Sequence, residues 1–284
     1  ADTYGQILNS STGEYSTLTG GNVNLQPEKS DTVTVGIVFT PEAIPDLSIT
    51  VDYFDITVEG FVGTVPPELA LTKCLDTGDS FFCGLINRDE AGTLWLTDDE
   101  SYIQATNINT GSLSTKGIDL GAEYSIDIGS YGSLKLNYLA TLLNEFEEES
   151  LPGEEAFDCA GYYGSSCGTP RPEYRHWASV GWNQDSLAMT LTWRHIGTVE
   201  QYGNNTSPII DELDATSYVD LSANYRINDN IELRFGINNI LDQDPPLTSI
   251  AGFGGSETSG RGNTYPQIYD AQGRYIFTGL KASF

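Results

Sequence analysis

The chain ends with the sequence Gly273-Arg-Tyr-Ile-Phe-Thr-Gly-Leu-Lys-Ala-Ser-Phe284. Read with a period of two residues, it separates into two sets of side chains. The mainly apolar set is Ile276, Thr278, Leu280, Ala282 and Phe284, and the other set is Tyr275, Phe277, Gly279, Lys281 and Ser283. Alternation over this length predicts a β-strand whose two faces meet different surroundings.

The last residue of this strand is an aromatic one, Phe284. Because chain ends are usually loose unless they are held in a sheet, we expect this end to be paired with a neighbouring strand. Two structures fit the segment: the closing strand of a membrane β-barrel, with its apolar face in lipid, or the edge strand of a soluble sandwich. The residues expected to matter for strand pairing and assembly are Tyr275, Phe277, Gly279 and Phe284.

Composition narrows the class of protein. The chain has 284 residues, of which 39% are hydrophobic and 11% aromatic, so it is expected to be ordered. Thirty glycines, sixteen tyrosines and a single methionine favour many strands and turns over helices. Thirteen basic residues against 40 acidic ones give a net charge of −27, which argues against nucleic acid as a partner.

The same alternation recurs in about nine segments that begin at Asp31, after a polar, loop-like stretch 1–30. Short breaks separate some segments, namely Pro41–Asp46, Gly129–Gly132, Gln184–Ser186 and Asn228–Asn230. Long polar connections separate the others, namely 63–100, 145–173, 201–216 and 242–272. This order predicts an all-β fold, an antiparallel transmembrane β-barrel with short turns at one end and long outer loops at the other.

The two faces of the strands differ in polarity. The side chains expected to meet lipid are Leu187, Met189, Leu191, Val219, Leu221, Ile231, Leu233, Phe235 and Ile237. The side chains expected to line the lumen are Thr190, Asp220, Asn224, Arg226, Glu232 and Arg234. Unpaired charges in mid-strand would be costly in a sandwich core, whereas a wet lumen accommodates them.

The four cysteines form two close pairs, Cys74 with Cys83 and Cys159 with Cys167, each in a long polar connection. Neither pair has the Cys-x-x-Cys or histidine spacing that zinc sites prefer. Two local disulfides formed in an oxidising compartment are therefore favoured over a metal site.

Acidic residues crowd two of the long connections. Oxygen-rich clusters of this kind can hold calcium, although solvation of an exposed surface is the commoner cause of a charge run. The candidate calcium ligands are Glu147, Glu148, Glu149, Asp98, Asp99 and Glu100. No other cofactor is expected.

Catalysis has little support in the sequence. The only histidines, His176 and His195, lie in predicted strands without a nucleophile elbow or a metal-ligand motif nearby. Structural positions, or positions in an aromatic girdle at the membrane interface, explain them better. The chain is therefore predicted not to be an enzyme.

Four segments carry a resemblance to a known family. They are Asn24-Leu-Gln-Pro-Glu-Lys-Ser30, Asn107-Ile-Asn-Thr-Gly-Ser-Leu-Ser-Thr-Lys-Gly-Ile-Asp-Leu120, Phe235-Gly-Ile-Asn-Asn-Ile-Leu-Asp242 and Tyr269-Asp-Ala-Gln-Gly-Arg-Tyr275 with the terminal strand. In this order they resemble the C-terminal part of the TonB-dependent outer-membrane receptors. The cysteine-bearing connection from Cys74 to Asp89 also resembles one that is common among these receptors.

The resemblance implies a 22-stranded barrel with an N-terminal plug, in the outer membrane of a Gram-negative bacterium. It also implies energised uptake of a scarce nutrient, such as a metal chelate, a vitamin, an oligosaccharide or a peptide. Its partners would be the TonB protein, membrane lipid and lipopolysaccharide. Because the sequence shows neither a plug nor a TonB-binding segment, the chain is expected to be about the last nine strands of a larger receptor that supplies the remainder. The alternatives are a passive outer-membrane pore and a secreted β-rich lectin or enzyme.

Overall fold

The computed structural model describes residues 15–90, 92–94, 101–109, 111–149, 151, 155–164, 166–203, 212–248 and 263–283. Nine longer strands form the main sheet. Numbered with all strands in chain order, they are β2 (Lys29–Phe39), β3 (Leu47–Glu59), β8 (Ser112–Asp127), β9 (Ser133–Glu149), β12 (Tyr174–Gln184), β13 (Leu187–Ile196), β16 (Thr216–Asn228), β17 (Ile231–Asn238) and β18 (Tyr275–Ala282).

Shorter elements lie in the connections between these strands. The short strands are β1 (Thr17–Gly20), β4 (Val62–Gly63), β5 (Ile86–Asn87), β6 (Tyr102–Thr106), β7 (Ile108–Asn109), β10 (Phe157–Asp158), β11 (Tyr162–Tyr163), β14 (Val199–Gln201) and β15 (Glu212–Leu213). The helices are α1 (Pro67–Thr77) and α2 (Ser80–Gly84), with one 3₁₀ turn at Gly129–Tyr131. Neither helix is long and apolar enough to cross a bilayer.

The strands of the main sheet follow one another in space as they do along the chain. Their order is β18-β17-β16-β13-β12-β9-β8-β3-β2, with β10 paired to β9 outside this path. Neighbouring strands from β9 to β18 pair antiparallel. With 16 residues in β8 and 17 in β9, some strands exceed the roughly 9–11 residues that a tilted strand needs to span a bilayer. The predicted all-β antiparallel fold is confirmed.

The strand register aligns the apolar side chains of successive strands. Leu191 lies opposite Leu221, and Leu221 lies opposite Ile237, so all three share a face. Many apolar side chains on this face remain exposed, including Leu191 at 45% and Phe235 at 43%. Apolar and polar side chains thus lie on opposite faces of the sheet, as predicted above. A soluble sandwich, in contrast, would bury the apolar face in its core.

Tight turns join the strands at one end of the sheet. Asp185 takes a positive φ of 49° between β12 and β13, as suits a two-residue hairpin. Gly132 has a φ of 92°, and a Cβ there would lie 2.0 Å from the carbonyl oxygen of Asn183, so this position requires glycine. Because neighbouring strands are antiparallel, the connections after β9, β13 and β17 begin at the opposite end.

Several predicted boundaries of the long connections were wrong. Strand β9 continues to Glu149, so the connection predicted at 145–173 starts later. The acidic run does not end the strand, because Glu145 pairs with Lys116 at 2.7 Å and accepts a hydrogen bond from Ser114 at 3.2 Å. The predicted loop 1–30 contains β1 and the start of β2.

The other long connections also contain regular structure. Helices α1 and α2 and strand β5 lie within the connection predicted at 63–100. Strand β14 continues to Gln201, and β15 lies within 201–216. The connection predicted at 242–272 is longer, because β17 ends at Asn238 and β18 begins at Tyr275.

The chain forms two compact units. The first contains the described residues of Ala1–Asp31, Thr57–Leu113 and Glu148–Phe157. Its helix α1 begins at Pro67, a residue suited to the first turn, and is capped by Gly78, whose N–H donates to the carbonyl of Cys74 at 3.0 Å. A disulfide joins Cys74 to Cys83 and so links α1 to α2.

A small core stabilises the first unit. Its buried members are Val65, Ala70, Phe82, Ile103 and Leu151. At the edge of this core, the Tyr15 hydroxyl donates to a Glu68 carboxylate oxygen at 2.8 Å. Burial and this hydrogen bond raise the pKa of Tyr15 to about 12.

The second unit contains the described residues of Thr32–Ile56, Ser114–Glu147 and Asp158–Phe284. Most of the main sheet belongs to it, together with the described parts of the connections after β13 and β17. The candidate site lies in this unit.

Candidate functional site

In the second unit the connections form a core of their own. Its buried members are Tyr163, Val199, Leu213, Tyr218, Tyr265 and Tyr269. The rings of Tyr163 and Tyr265 meet edge to face, with centroids 6.0 Å apart. Burial raises the pKa of the Tyr269 hydroxyl well above its usual value, so this side chain stays neutral. The described parts of these connections are therefore packed together by apolar and aromatic contacts.

Arg194 ties these connections to the polar face of the sheet. From β13, its Nε donates to Asp220 on the neighbouring β16 at 2.8 Å. Its Nη1 and Nη2 donate to Asp270, in the connection before β18, at 3.0 and 2.5 Å. Charge-assisted bonds of this fork type are stronger than neutral ones and hold both partners in a defined geometry.

Backbone groups complete this network. One carboxylate oxygen of Asp220 also accepts the N–H of Asn239 at 2.8 Å. Asn239 is fully buried with a positive φ of 52°, and it exchanges two hydrogen bonds of 2.9 Å with Gln243. The Tyr218 hydroxyl accepts the N–H of Asp270 at 3.2 Å. These hydrogen bonds thus hold both ends of the connection between β17 and β18, at Asn239 after β17 and at Asp270 before β18.

Beside this network, a cavity of about 410 Å³ opens on the polar face of the sheet. Its lining is mostly apolar and includes two aromatic rings and two arginines. The lining residues are Phe54, Thr115, Thr141, Leu143, Phe146, Pro170, Arg171, Pro172, Arg175, Ile196, Gln267 and Ile268. Ligand pockets in proteins commonly have volumes of roughly 300–1,000 Å³ and a mainly apolar lining with a few polar groups.

The two arginines of the cavity differ in their bonding. Arg171 donates to the carbonyl oxygens of Cys167 and Thr169, and its guanidinium lies 4.0 Å from the centre of the Phe146 ring. The Arg175 side chain is exposed and makes no hydrogen bond or ion pair with any described residue. Arg171 therefore supports the wall, whereas Arg175 is available to a ligand.

The second disulfide, between Cys159 and Cys167, stabilises the same wall. The N–H of Cys159 donates to the carbonyl of Phe146 at 2.8 Å. Asp158 accepts the N–H groups of Phe146 and Ala160 at 2.8 and 2.9 Å. Both predicted disulfides are present, and this one holds a segment that lines the cavity.

Replacing Cys159 and Cys167 together by serine is expected to loosen this segment without unfolding the sheet. A disulfide that closes a loop of this size lowers the entropy of the unfolded chain, which stabilises the folded segment by about 2.5 kcal/mol. Limited proteolysis should cut the double variant between residues 155 and 173 at least tenfold faster than the parent, with an unchanged thermal midpoint for the barrel. The Cys74→Ser/Cys83→Ser variant is the matched control and should not change cleavage at this segment. Equal cleavage rates in parent and variant would contradict the prediction.

The residues singled out in the terminal strand lie on β18, except Phe284, which lies outside the described residues. Phe277 packs over Gly236 on β17, where a Cβ would lie 2.2 Å from the ring. A larger residue at Gly236 would therefore require the Phe277 ring to move. The assembly role of Tyr275, Phe277, Gly279 and Phe284 stays a prediction.

The candidate calcium ligands are only partly described. Glu147, Glu148 and Glu149 lie at the end of β9, whereas Asp98, Asp99 and Glu100 lie outside the described residues. In the part of the chain that the structure describes, no three His, Cys, Asp or Glu side chains come together as a metal site. Calcium binding stays a prediction.

The sequence analysis did not single out the cavity residues. They come from segments that are far apart in the chain, so no local motif marks them. One signal was available: Pro170-Arg-Pro-Glu-Tyr-Arg175 places two arginines close together in a chain with 13 basic and 40 acidic residues.

Long antiparallel strands in chain order, with one exposed apolar face and one polar face, define the chain as part of a transmembrane β-barrel. The family model described as TonB dependent receptor-like, beta-barrel matches residues 1–240. The chain belongs to this family, whose members are outer-membrane proteins of Gram-negative bacteria. The predicted family resemblance is confirmed.

Solved structures of this class are similar to the chain. The ferric enterobactin receptor PfeA of Pseudomonas aeruginosa, as its G324V mutant, matches with a TM-score of 0.60 and 17% identity over 94% of this chain and 32% of its own. The siderophore receptor PirA of Acinetobacter baumannii matches with a TM-score of 0.57 and 16% identity over 94% of this chain and 33% of its own. The FrpB iron transporter of Neisseria meningitidis matches with a TM-score of 0.55 and 11% identity over 94% of this chain and 33% of its own.

The chain spans about a third of the length of these structures. At these identities the similarity establishes the fold alone. No curated protein sequence matches the chain.

Proposed function

We propose that the protein containing this chain is an outer-membrane receptor that takes up a scarce nutrient with energy supplied through the TonB system. Membership of the family supports this proposal, as does the exposed apolar face of the sheet. A plug domain, the remaining barrel strands and the TonB protein are the partners that such a receptor requires. Lipid and lipopolysaccharide would surround the apolar face.

The observation that carries the ligand class is the cavity with Arg175 at its wall. A cation with no described partner, in the same cavity as the rings of Phe54 and Phe146, suits a ligand with an anionic group and an apolar or aromatic part. A neutral oligosaccharide would instead need several hydrogen-bonding side chains. Among metal chelates, vitamins, oligosaccharides and peptides, an anionic metal chelate fits best. One of the similar structures is named as a ferric enterobactin receptor and another as a siderophore receptor, which supports testing this class first.

Uptake measurements test the transport proposal. A strain that lacks the receptor, and the same strain complemented with the full-length protein, are supplied with labelled ferric catecholate and ferric hydroxamate chelates, cobalamin, an oligosaccharide and a peptide. We expect saturable uptake of one anionic chelate that stops when the proton-motive force is collapsed. Uptake that continues after the collapse, with steady conductance in planar bilayers, would indicate a passive pore. Recovery of the folded protein from the medium would indicate a secreted lectin or enzyme.

Arg175→Ala is expected to weaken binding of the transported chelate about 10- to 150-fold. A hydrogen bond to a charged group contributes roughly 1.5–3 kcal/mol, which corresponds to this range. Arg175→Lys should retain part of the affinity, because the charge stays but the planar fork is lost. Equilibrium binding to the purified receptor measures the effect.

The matched control is Arg226→Ala, since Arg226 lies on the polar face of β16 but outside the cavity. It should leave the affinity unchanged. Equal affinity of Arg175→Ala and the parent receptor would show that this cavity is not part of the binding site. The proposal of energised uptake would still stand.

A further inference from the structure

The two histidines of the chain lie directly opposite each other on neighbouring strands. In the register of β12 and β13, His176 pairs with His195. Their rings are stacked, with centroids 5.1 Å apart and planes inclined by 20°. This neighbourhood could not be read from the sequence, in which nineteen positions separate the two residues.

The hydrogen bonding of this pair is incomplete. His176 is 8% exposed, and neither ring nitrogen has a hydrogen-bond partner among the described residues. A buried polar group without a partner is unfavourable, so a ligand that engages these nitrogens would relieve a cost. The site therefore holds buried imidazole nitrogens that make no hydrogen bond with a described residue.

His195 is oriented by its neighbour on β16. Its Nδ1 and the Ser217 hydroxyl oxygen are 2.8 Å apart. When Nδ1–H donates to this oxygen, Nε2 carries the lone pair and can coordinate an ion. Metal-binding histidines usually have such a partner on the second ring nitrogen, which holds the ring in place.

Aromatic side chains surround the histidine pair. The ring of Trp193 meets His176 edge to face at 4.2 Å, and the rings of Tyr174 and Tyr138 lie 5.5 and 5.6 Å from it. The tyrosine hydroxyls are hydrogen-bonded to each other at 2.8 Å.

His176 shares its face with Ala178 and Val180, the face expected to meet lipid. Eight residues separate it from the turn at Gln184, which corresponds to about 20 Å along the membrane normal for a tilted strand. This distance is near the outer boundary of the apolar band of a barrel.

We propose that His176 and His195 together bind a late first-row transition-metal dication, with Cu²⁺ bound more tightly than Zn²⁺ or Ni²⁺. Imidazole nitrogens suit these ions, and copper stands at the top of their common affinity order. Coordination needs each nitrogen about 2.0–2.1 Å from the ion, so the His176 ring would turn toward the Nε2 of His195, whose ring Ser217 orients. No group of three His, Cys, Asp or Glu side chains occurs among the described residues, so water completes the coordination. The ion would clamp β12 to β13 near the outer rim. This site is separate from the cavity of Arg175 and does not depend on transport.

Copper titration of the intact receptor tests the proposal. The protein is purified in detergent without a polyhistidine tag, and Cu²⁺ is followed by tryptophan fluorescence and by electron paramagnetic resonance. We expect one equivalent of Cu²⁺ with hyperfine coupling to two nitrogens, accompanied by quenching of Trp193. Trp193→Phe should lose most of the quenching and keep the two-nitrogen spectrum.

Variants of the ligands complete the test. His176→Phe and His195→Phe keep an aromatic ring on the strand, and each should lose the two-nitrogen spectrum. Ser217→Ala should weaken binding about tenfold through loss of ring orientation. Ser222→Ala, on the opposite face of β16, is the control and should bind like the parent. A parent spectrum with oxygen ligands only, or a two-nitrogen spectrum that survives in either folded histidine variant, would overturn the proposal. If the variants do not assemble, the spectrum of the parent protein alone decides.

Discussion

Replacing Leu221 by arginine is expected to prevent most of the receptor from assembling in the outer membrane. Leu221 lies on β16 between Leu191 of β13 and Ile237 of β17, in the middle of the apolar face. An arginine on the lipid face of a barrel costs about 2–4 kcal/mol near the bilayer midplane. With Leu233→Arg added, the combined cost approaches the roughly 5–15 kcal/mol that stabilises an ordinary domain. Heat-modifiable migration of outer-membrane fractions measures the assembled share.

The control for this experiment is Asn224→Arg, three positions along the same strand. Asn224 lies on the polar face, opposite Arg234 of β17 and Ala188 of β13. Its arginine can reach water, so assembly should stay close to that of the parent. Spin labels at both positions give a direct readout. A label at Leu221 that is reached by water-soluble quenchers, together with one at Asn224 that is reached by lipid-soluble ones, would reverse the assignment of the two faces.

Arg194→Ala is expected to release the connection before β18 from the sheet. The substitution removes the guanidinium that donates hydrogen bonds to Asp220 and Asp270. The two carboxylates then stay close together without a cation between them. All three side chains are partly exposed, at 31%, 19% and 27%, so we expect a loss of about 2–3 kcal/mol, less than for a fully buried pair. Hydrogen exchange of the backbone amides should then rise most at Asn239 and Asp270, whose N–H groups bond within this network.

Two further variants separate charge from geometry at this position. Arg194→Lys keeps the charge but cannot form both forks, so it should recover less than half of the lost stability. The control is Thr192→Ala, since Thr192 lies on the same face of β13, two positions before Arg194. Its backbone amides should exchange at the same rates as in the parent. Uniform exchange across the connection before β18 in all three variants would show that Arg194 does not hold this segment.

The fold could be predicted because its signal is local. In a barrel strand each residue meets either lipid or the polar side, so the requirement for alternation is written into every strand separately. The segments around Leu221 and Leu233 show it, and the register pairs them as expected. The cysteine pairs are also local features, since eight or nine positions separate their members.

Strand ends were harder to predict, because they depend on partners on other strands. The acids at the end of β9 resemble a loop, yet Glu145 and Glu149 bond to Ser114 and Ser112, which are more than thirty positions away. Such contacts keep a charged segment in the sheet. Local polarity could not show this.

The sequence by itself determined the period of the strands, their polar and apolar faces, the two disulfides and membership of the receptor family. Only the tertiary structure decided which side chains line the cavity and which side chains lie opposite each other on neighbouring strands. The cavity joins Phe54, Phe146 and Arg175 from three strands or their ends, and the proposed metal site joins His176 to His195 across a pair of strands. The physical reason is that the faces of a strand follow from a two-residue repeat, whereas neighbours across the sheet follow from register and from loop packing. Both of these depend on contacts between residues that are distant in the chain.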